Sequence, residues 1–202
     1  ATVRAAQSPI VAPDTFLAFA ADNVEVDSAT DTVTLTGGAN LDLLPRMPGK
    51  SARALQLHAE RAVVFLATGT LAKLKKGTTE IDASSVTGIY LEGDVDATDF
   101  QYTVRAKRAY YDLQMNRATL VEGVLRTQDR KGMPIVARAK ELRQYSQDEW
   151  QADKLVVSTS EFFEPHLSIG LERATITRTW QDEPEASPGV AAAGGGGAGM
   201  GG

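Results

Sequence analysis

The chain has 202 residues, 43% of them hydrophobic, and its 21 Lys and Arg against 26 Asp and Glu give a formal net charge of −5. It contains no cysteine, which excludes disulfides, thiolate metal sites and cysteine nucleophiles. No apolar run is long enough to span a membrane, and aromatic residues are too few, at 6%, to favour a nucleic-acid partner.

The first predicted elements are two strands joined by a tight turn. Apolar residues alternate with polar ones at Val24 and Val26, and again at Val33 and Leu35. This period of two is typical of a strand that buries one face and exposes the other. The connecting residues 27–31 are Asp-Ser-Ala-Thr-Asp, whose side chains satisfy local backbone donors in turns. We therefore predict a β-hairpin.

The same hairpin pattern recurs along the chain. Its later copies start at Ala59, Ala106, Ala139 and about Leu171. The copy from Ala106 aligns with the first one without a gap, whereas the copy from Ala59 holds an insertion at 67–85, rich in Gly, Thr and Lys. Repeats with such irregular spacing predict stacked antiparallel hairpins in one all-β domain. In the first three copies one face is apolar and the opposite face is mostly charged or hydroxylated, whereas the copy from Ala139 has Gln144 in place of an apolar interior residue.

Basic residues concentrate in the second half of the repeat array. Between Arg105 and Arg143, ten basic side chains stand against four acidic ones. This positive region could receive phosphates or sugar acids, and the alternative is that these residues are solvated outward positions of strands. The candidates for an anionic headgroup are Arg105, Lys107, Arg108, Arg117 and Arg126.

Motifs for catalysis are absent from the sequence. There is no Gly-x-Ser-x-Gly elbow and no Walker loop, so we predict that the chain is not an enzyme. His58 and Glu60 share one face of a predicted strand, but two ligands make a poor metal site, and we predict neither metal nor cofactor. The segment Glu161–His166 is interpreted as a turn with a hydrophobic plug.

The repeat resembles a known family at its best-formed copy. Val104-Arg-Ala-Lys-Arg-Ala-Tyr-Tyr-Asp112, followed by Ala118-Thr-Leu-Val-Glu-Gly-Val124, looks like the OstA-like units of lipopolysaccharide transport proteins. These proteins include the periplasmic bridge protein and the N-terminal domain of the outer-membrane lipopolysaccharide-assembly protein. The stretch from Val157 to Ile176 is similar to the end of that N-terminal domain. The resemblance covers about 17–179 and implies an antiparallel β-jellyroll shaped as an open V.

The resemblance also implies a function and a location. The apolar interior of the V would shelter the acyl chains of lipid A, and the chain would act in the periplasm as a non-catalytic module of the bridge to the outer membrane. Its partners would be lipopolysaccharide or a related glycolipid, and other OstA-like jellyrolls, including copies of itself, stacked through edge strands. The lipid-binding positions would be Val24, Val26, Val33, Leu35, Val64, Ile89, Leu91, Val95, Tyr111, Leu120, Val124, Leu155, Val157 and Ile176.

Two other functions compete with lipid transport. A β scaffold with a sealed core would polymerise or dock through its edge strands without binding lipid. A carbohydrate-active β-helix enzyme would need clustered carboxylates on one exposed sheet face. We expect a lead-in at 1–16, one OstA-like β-jellyroll domain at 17–179, and a disordered Gly- and Ala-rich tail at 180–202.

Overall fold

The computed structural model describes residues 14–46, 54–73, 80–98, 103–128, 132–146, 149–160 and 167–177. The predicted tail and the predicted turn Glu161–His166 lie outside these ranges. The strands are β1 (Thr15–Ala20), β2 (Asn23–Asp27), β3 (Thr32–Pro45), β4 (Leu55–Leu66), β5 (Glu80–Asp82), β6 (Val86–Thr98), β7 (Thr103–Asp112), β8 (Arg117–Gln128), β9 (Pro134–Ser146), β10 (Glu149–Ser158) and β11 (Ile169–Thr177). The helix α1 (Thr70–Lys73) and a 3-10 turn (Ala83–Ser85) lie in the predicted insertion. Among the described residues no helix has the length and apolar character needed to cross a bilayer.

All the described strands belong to one antiparallel sheet, which confirms the predicted all-β jellyroll class. Its hydrogen-bonded order is β11-β10-β9-β8-β7-β6-β4-β3-β1-β5, and β2 also pairs with β3. The two first strands share the same edge of β3, because β2 pairs with its residues 32–36 and β1 with its residues 40–45.

A line of irregular backbone, here named the crease, crosses the sheet near the middle of the long strands. Register shifts occur between Thr36 and Ala39 of β3, between His58 and Arg61 of β4, and between Glu92 and Val95 of β6. The left-handed φ angles that such bulges require are found at Gly37, Gly38, Gly93, Asp94, Glu122 and Lys154. The crease divides the sheet into a β2 half-sheet and a β1 half-sheet, each named for its first strand.

The two half-sheets cover each other's apolar face. Leu35 and Leu120 of the β2 half-sheet and Leu41 of the β1 half-sheet are each 0% exposed, and Leu57 of the β1 half-sheet is 2% exposed. The buried side chains of both halves form one continuous cluster. Because the described residues include no second sheet over this face, the fold at the crease is what removes it from water.

The aspartates of the predicted turns accept hydrogen bonds from nearby backbone donors, as the sequence predicts. In the β2–β3 turn, the Asp27 carboxylate accepts hydrogen bonds from the Ala29 N–H and the Thr30 hydroxyl, both at 2.8 Å. These two hydrogen bonds hold the pKa of Asp27 below its usual value, and the bond from the Thr30 hydroxyl has the larger effect. In the β7–β8 turn, the Asp112 carboxylate likewise accepts the N–H of Met115 at 2.8 Å. The local sequence therefore specifies both hairpins.

The crease can be tested at its glycines. Gly38 has a φ of +85° and nothing within 4 Å of an added Cβ, so Gly38→Ala should cost only the left-handed backbone penalty of about 1–2 kcal/mol. Gly93 has a φ of +80°, and an added Cβ would lie 2.8 Å from Cβ of Glu60. We expect Gly93→Ala to lower the free energy of unfolding by at least about 1 kcal/mol more than Gly38→Ala does, as measured by urea denaturation. Equal losses would contradict close packing at the crease.

Candidate functional site

Most of the residues predicted to line the interior do so. Nine of them are no more than 4% exposed, and they are Val33, Leu35, Val64, Ile89, Leu91, Val95, Tyr111, Leu120 and Leu155. Val157 and Ile176 are partly buried and pack against the same cluster. These side chains, together with the rest of that cluster, form a continuous apolar interior between the half-sheets. Lipid binding at these positions stays a prediction.

The interior also includes leucines that were absent from the predicted set. Leu17 of β1, Leu57 of β4 and Leu142 of β9 are 0%, 2% and 0% exposed. The alternation Leu55-x-Leu57-x-Ala59 was a usable signal for β4. No comparable signal identified Leu17, because its burial depends on pairing with β3 and β5.

Two predicted interior residues are exposed. Val24 and Val26 of β2 are 44% and 54% exposed, although they pair directly with the buried Leu35 and Val33. The prediction that they are buried was wrong because β2 is the last of the described strands in its half-sheet, with β3 as its neighbour on one side.

One predicted interior residue lies on the wrong face. Val124 of β8 is half-buried on the outer face, whereas its neighbour Leu125 is 5% exposed and belongs to the core. The register partner of Val124 is the exposed Arg105, and that of Leu125 is the buried Val104. The reason is the crease at Glu122, where a φ of +55° shifts the in-and-out alternation of β8 by one residue.

The interior becomes more polar along β9. Gln144 is 1% exposed and lies between its register partners Ala118 and Trp150, and Ser146 is 3% exposed two residues later. The sequence already marked Gln144 as a departure from the apolar repeat. The interior is therefore not uniformly hydrocarbon-like near the β9–β10 connection.

The last strand exposes apolar side chains at the far end of the sheet. Among the described strands β11 pairs with β10 alone, and its Ile169 and Leu171 are 63% and 44% exposed. They face the register partners Val157 and Leu155, which pack in the core. The interior apolar surface thus continues to this edge and ends in contact with solvent.

The five predicted headgroup residues lie on the outer face of the sheet. Arg105 forms an ion pair with Asp96 at 2.9 Å, and Lys107 lies 3.8 Å from Glu122. The Arg117 guanidinium lies over the ring of Tyr145. Arg108 and Arg126 have no ion-pair partner within the described part of the chain. The structure therefore separates all five side chains from the apolar interior by the thickness of the sheet.

A groove of about 800 Å³ runs along the outside of the crease. Its walls include His58, Glu60, Arg105 and Lys107, and the imidazole Nδ1 of His58 lies 2.9 Å from the side-chain oxygen of Asn40. In the described ranges no three His, Asp, Glu or Cys side chains are placed to hold a metal ion. This groove is lined by charges of both signs, together with Val95 and Ala106, which belong to the core cluster.

Comparisons with known proteins give limited information. No protein-family model and no curated protein matches the chain. Among solved structures, the chain is similar to the crystal structure of LptH, the LptA homologous periplasmic component of the conserved lipopolysaccharide transport device from Pseudomonas aeruginosa. The identity is 10%, the match covers 81% of this chain and 95% of that chain, and the TM-score is 0.48. This similarity is too low to assign a family or a function.

The shift of alternation in β8 can be tested with neighbouring substitutions. Leu125→Ala removes a buried side chain from the core, and we expect it to lower the free energy of unfolding by about 2–5 kcal/mol. Val124→Ala acts on the outer face and should cost about 1 kcal/mol or less. Thermal or urea unfolding measures both values. A larger loss for Val124→Ala than for Leu125→Ala would support the sequence prediction that Val124 faces the interior.

Proposed function

We propose that this protein is a non-catalytic module that binds the acyl chains of lipopolysaccharide, or of a related glycolipid, between its two half-sheets. The observation that carries the proposal is the continuous apolar interior, which extends from β1 to the solvent-exposed edge at β11. The resemblance of the hairpin repeat to OstA-like units supports the same ligand class and a periplasmic location.

The interior is filled by the protein's own side chains, so a lipid chain must displace them. Exposing one fully buried leucine to water costs about 1.5–3 kcal/mol. Because a domain is stable by only about 5–15 kcal/mol, few such residues can be exposed together. We therefore propose that the acyl chain replaces the contacts of the opposite half-sheet as the halves separate, so that little apolar surface meets water.

The glycolipid headgroup would stay outside the interior. We name the side of the interior opposite the crease, where the strands of both half-sheets end, the mouth. Arg117 is the first residue of β8, and Arg126 lies near its other end, so the two residues lie on opposite sides of the mouth. A phosphorylated sugar at the mouth would have a cation within reach on either side. We propose these two positions ahead of Arg105 and Lys107, whose charges have partners on the outer face.

Photocrosslinking from adjacent residues tests the proposal. Tyr111 is 4% exposed and points into the interior, whereas its neighbour Tyr110 is 42% exposed and points outward. Replacing each in turn by p-benzoylphenylalanine changes an aromatic side chain into a larger aromatic one. With purified lipopolysaccharide, we expect an adduct from position 111 and little or none from position 110. Mass spectrometry of the adduct would locate the attachment on the lipid.

The same pair of variants identifies the result that would overturn the proposal. Circular dichroism should first show that both variants keep the β-sheet spectrum. Adducts from neither position, or from position 110 alone, would exclude lipid binding in the interior. They would favour the second candidate, a scaffold with a sealed core, which is supported by the complete burial of Leu35, Leu41 and Leu120.

The exposed edge at β11 supports docking to a neighbouring sheet. A strand with one free edge offers backbone donors and acceptors to another strand, and the exposed Ile169 and Leu171 would be covered by the added strand. We propose other jellyrolls of the same kind, including a second copy of this chain, as the partners.

Edge docking predicts an assembly that a charge can prevent. We expect light scattering to show a molar mass that rises with protein concentration, and Ile169→Lys to reduce this rise strongly because it places a charge in the apolar part of the edge. Thr175→Lys is the matched control, since it adds the same charge to β11 at an exposed position outside that apolar part. If the two variants associate equally, the apolar edge is not the docking surface.

A further inference from the structure

The predicted insertion contains a segment that crosses between the two half-sheets. We name residues Glu80–Val86 the strap. Its first part is β5, which pairs with β1 through Phe16, Leu17 and Ala18 and so extends the β1 half-sheet. Its last residue, Val86, pairs with Leu66 of β4 in the β2 half-sheet. The strap therefore begins on one half-sheet and ends on the other.

The length of the strap sets how far apart the half-sheets can be. Val86 lies four positions after Asp82, and an extended chain of that length spans at most about 14 Å. Two packed sheets lie about 10 Å apart. The 3-10 turn at Ala83–Ser85 shortens the reach further. At this point the half-sheets are held at the spacing of packed sheets.

The strap is anchored by apolar burial and by polar contacts. Ile81 and Val86 are both 2% exposed, and Ala83 packs against the core. The Asp82 carboxylate accepts hydrogen bonds from the Ser84 hydroxyl and N–H, at 2.7 and 3.0 Å. Arg46 lies 3.3 Å from the same carboxylate. The Asp82–Ser84 bonds stabilise the turn within the strap, and the Arg46–Asp82 contact ties the strap to the β1 half-sheet.

Asp31 anchors the neighbouring turn to the β2 half-sheet. Asp31 is 9% exposed, and its carboxylate accepts the N–H groups of Gly69 at 2.7 Å and Leu71 at 3.2 Å. The same turn is tied to the strap, because the Ala67 N–H donates to the Ser85 carbonyl at 2.8 Å. Asp31 is thus the one carboxylate of the β2–β3 turn that reaches beyond its own hairpin, whereas Asp27 bonds only to Ala29 and Thr30 within the described residues.

From β6 onward, each connection between successive strands begins and ends on the same half-sheet. Residues on either side of each of the five connections are paired with each other in the same half-sheet: Thr98 with Thr103, Asp112 with Arg117, Gln128 with Pro134, Ser146 with Glu149, and Val157 with Ile169. These five connections therefore return to the half-sheet that they left, whereas the strap crosses from one half-sheet to the other.

We infer that the strap holds the half-sheets together over β1–β6, so that they separate, and admit a lipid chain, between β7 and β11. The inference depends on the proposed function for the lipid, but the asymmetric opening can be measured without lipid. It assigns Asp31 as a positioning residue for the strap and locates the route of access at the end that carries the exposed apolar edge.

Cysteine labelling tests the asymmetry directly, because the chain contains no cysteine of its own. Ala62 of β4 and Ala118 of β8 are 1% and 2% exposed and face the same interior from the same half-sheet. Each is changed singly to Cys in the full chain and treated with a thiol reagent under native conditions. We expect Ala118→Cys to react at least about tenfold faster than Ala62→Cys. The reason is that local separation of the half-sheets would occur only away from the strap.

This comparison excludes fraying from the sheet ends as the explanation. Within the β2 half-sheet, which contains both alanines, three described strands (β9, β10 and β11) lie between β8 and one end, whereas two (β3 and β2) lie between β4 and the other end. Fraying alone would therefore label Ala62→Cys as fast as Ala118→Cys or faster. Equal rates, or a faster reaction at position 62, would overturn the inference.

Removing the Asp31 carboxylate supplies the second measurement. We expect Asp31→Ala to raise the labelling rate at position 62 to about that at position 118, with little change at position 118 itself. Asp27→Ala is the matched control, because it removes a carboxylate from the same turn without touching the strap. An equal acceleration at both positions by Asp31→Ala would indicate general destabilisation and contradict the assigned role.

Adding purified lipopolysaccharide separates this inference from the proposed function. Bound lipid should protect Ala118→Cys from the reagent. Unequal labelling without any protection by lipopolysaccharide would support the strap and contradict lipid binding. Protection together with equal labelling rates would support lipid binding and overturn the strap.

Discussion

The whole structure depends on one constraint, which is that a sheet with one apolar face must cover that face. Most β domains meet this constraint with a second sheet or a layer of helices. Here the long strands bend at the crease, and the sheet covers itself. The glycines and left-handed residues at the crease are needed because bulges at aligned positions let neighbouring strands bend along one line. The apolar interior is a consequence of that bend.

The same bend separates the charges from the interior. The outer face carries cross-strand ion pairs such as Arg105–Asp96 and Arg173–Asp153, both at 2.9 Å. Each exposed pair contributes at most about 1 kcal/mol to the free energy of unfolding. The main effect of these pairs is therefore to keep the outer face polar and solvated. A ligand with an acyl chain and a charged headgroup would therefore meet its apolar and polar contacts on different sides of the strands. The mouth between the half-sheets is where the two kinds of contact come together.

Much of the fold and part of the candidate site could be predicted from the sequence. The alternation at period two identified Val33, Leu35, Leu91 and Leu120 as interior residues, because alternation within a strand is a local property. The prediction failed at Val124, since one bulge residue reverses the alternation beyond it. It failed at Val24 and Val26 for another reason. Their exposure depends on which strand lies at the edge of the sheet, and the alternation within a strand carries no information about strand order.

The sequence by itself determined the hairpins, their turns and the separation into an apolar and a polar face, since each depends on residues close together in the chain. Tertiary structure alone decided how that apolar face is covered. The insertion at 67–85 was visible only as a compositional anomaly, yet its residues 80–86 join the half-sheets across the mouth. Asp31 was visible as a turn residue, and its contacts with Gly69 and Leu71 connect positions about 40 residues apart. Pairings over such separations are set by the packing of the whole sheet, which no local pattern encodes.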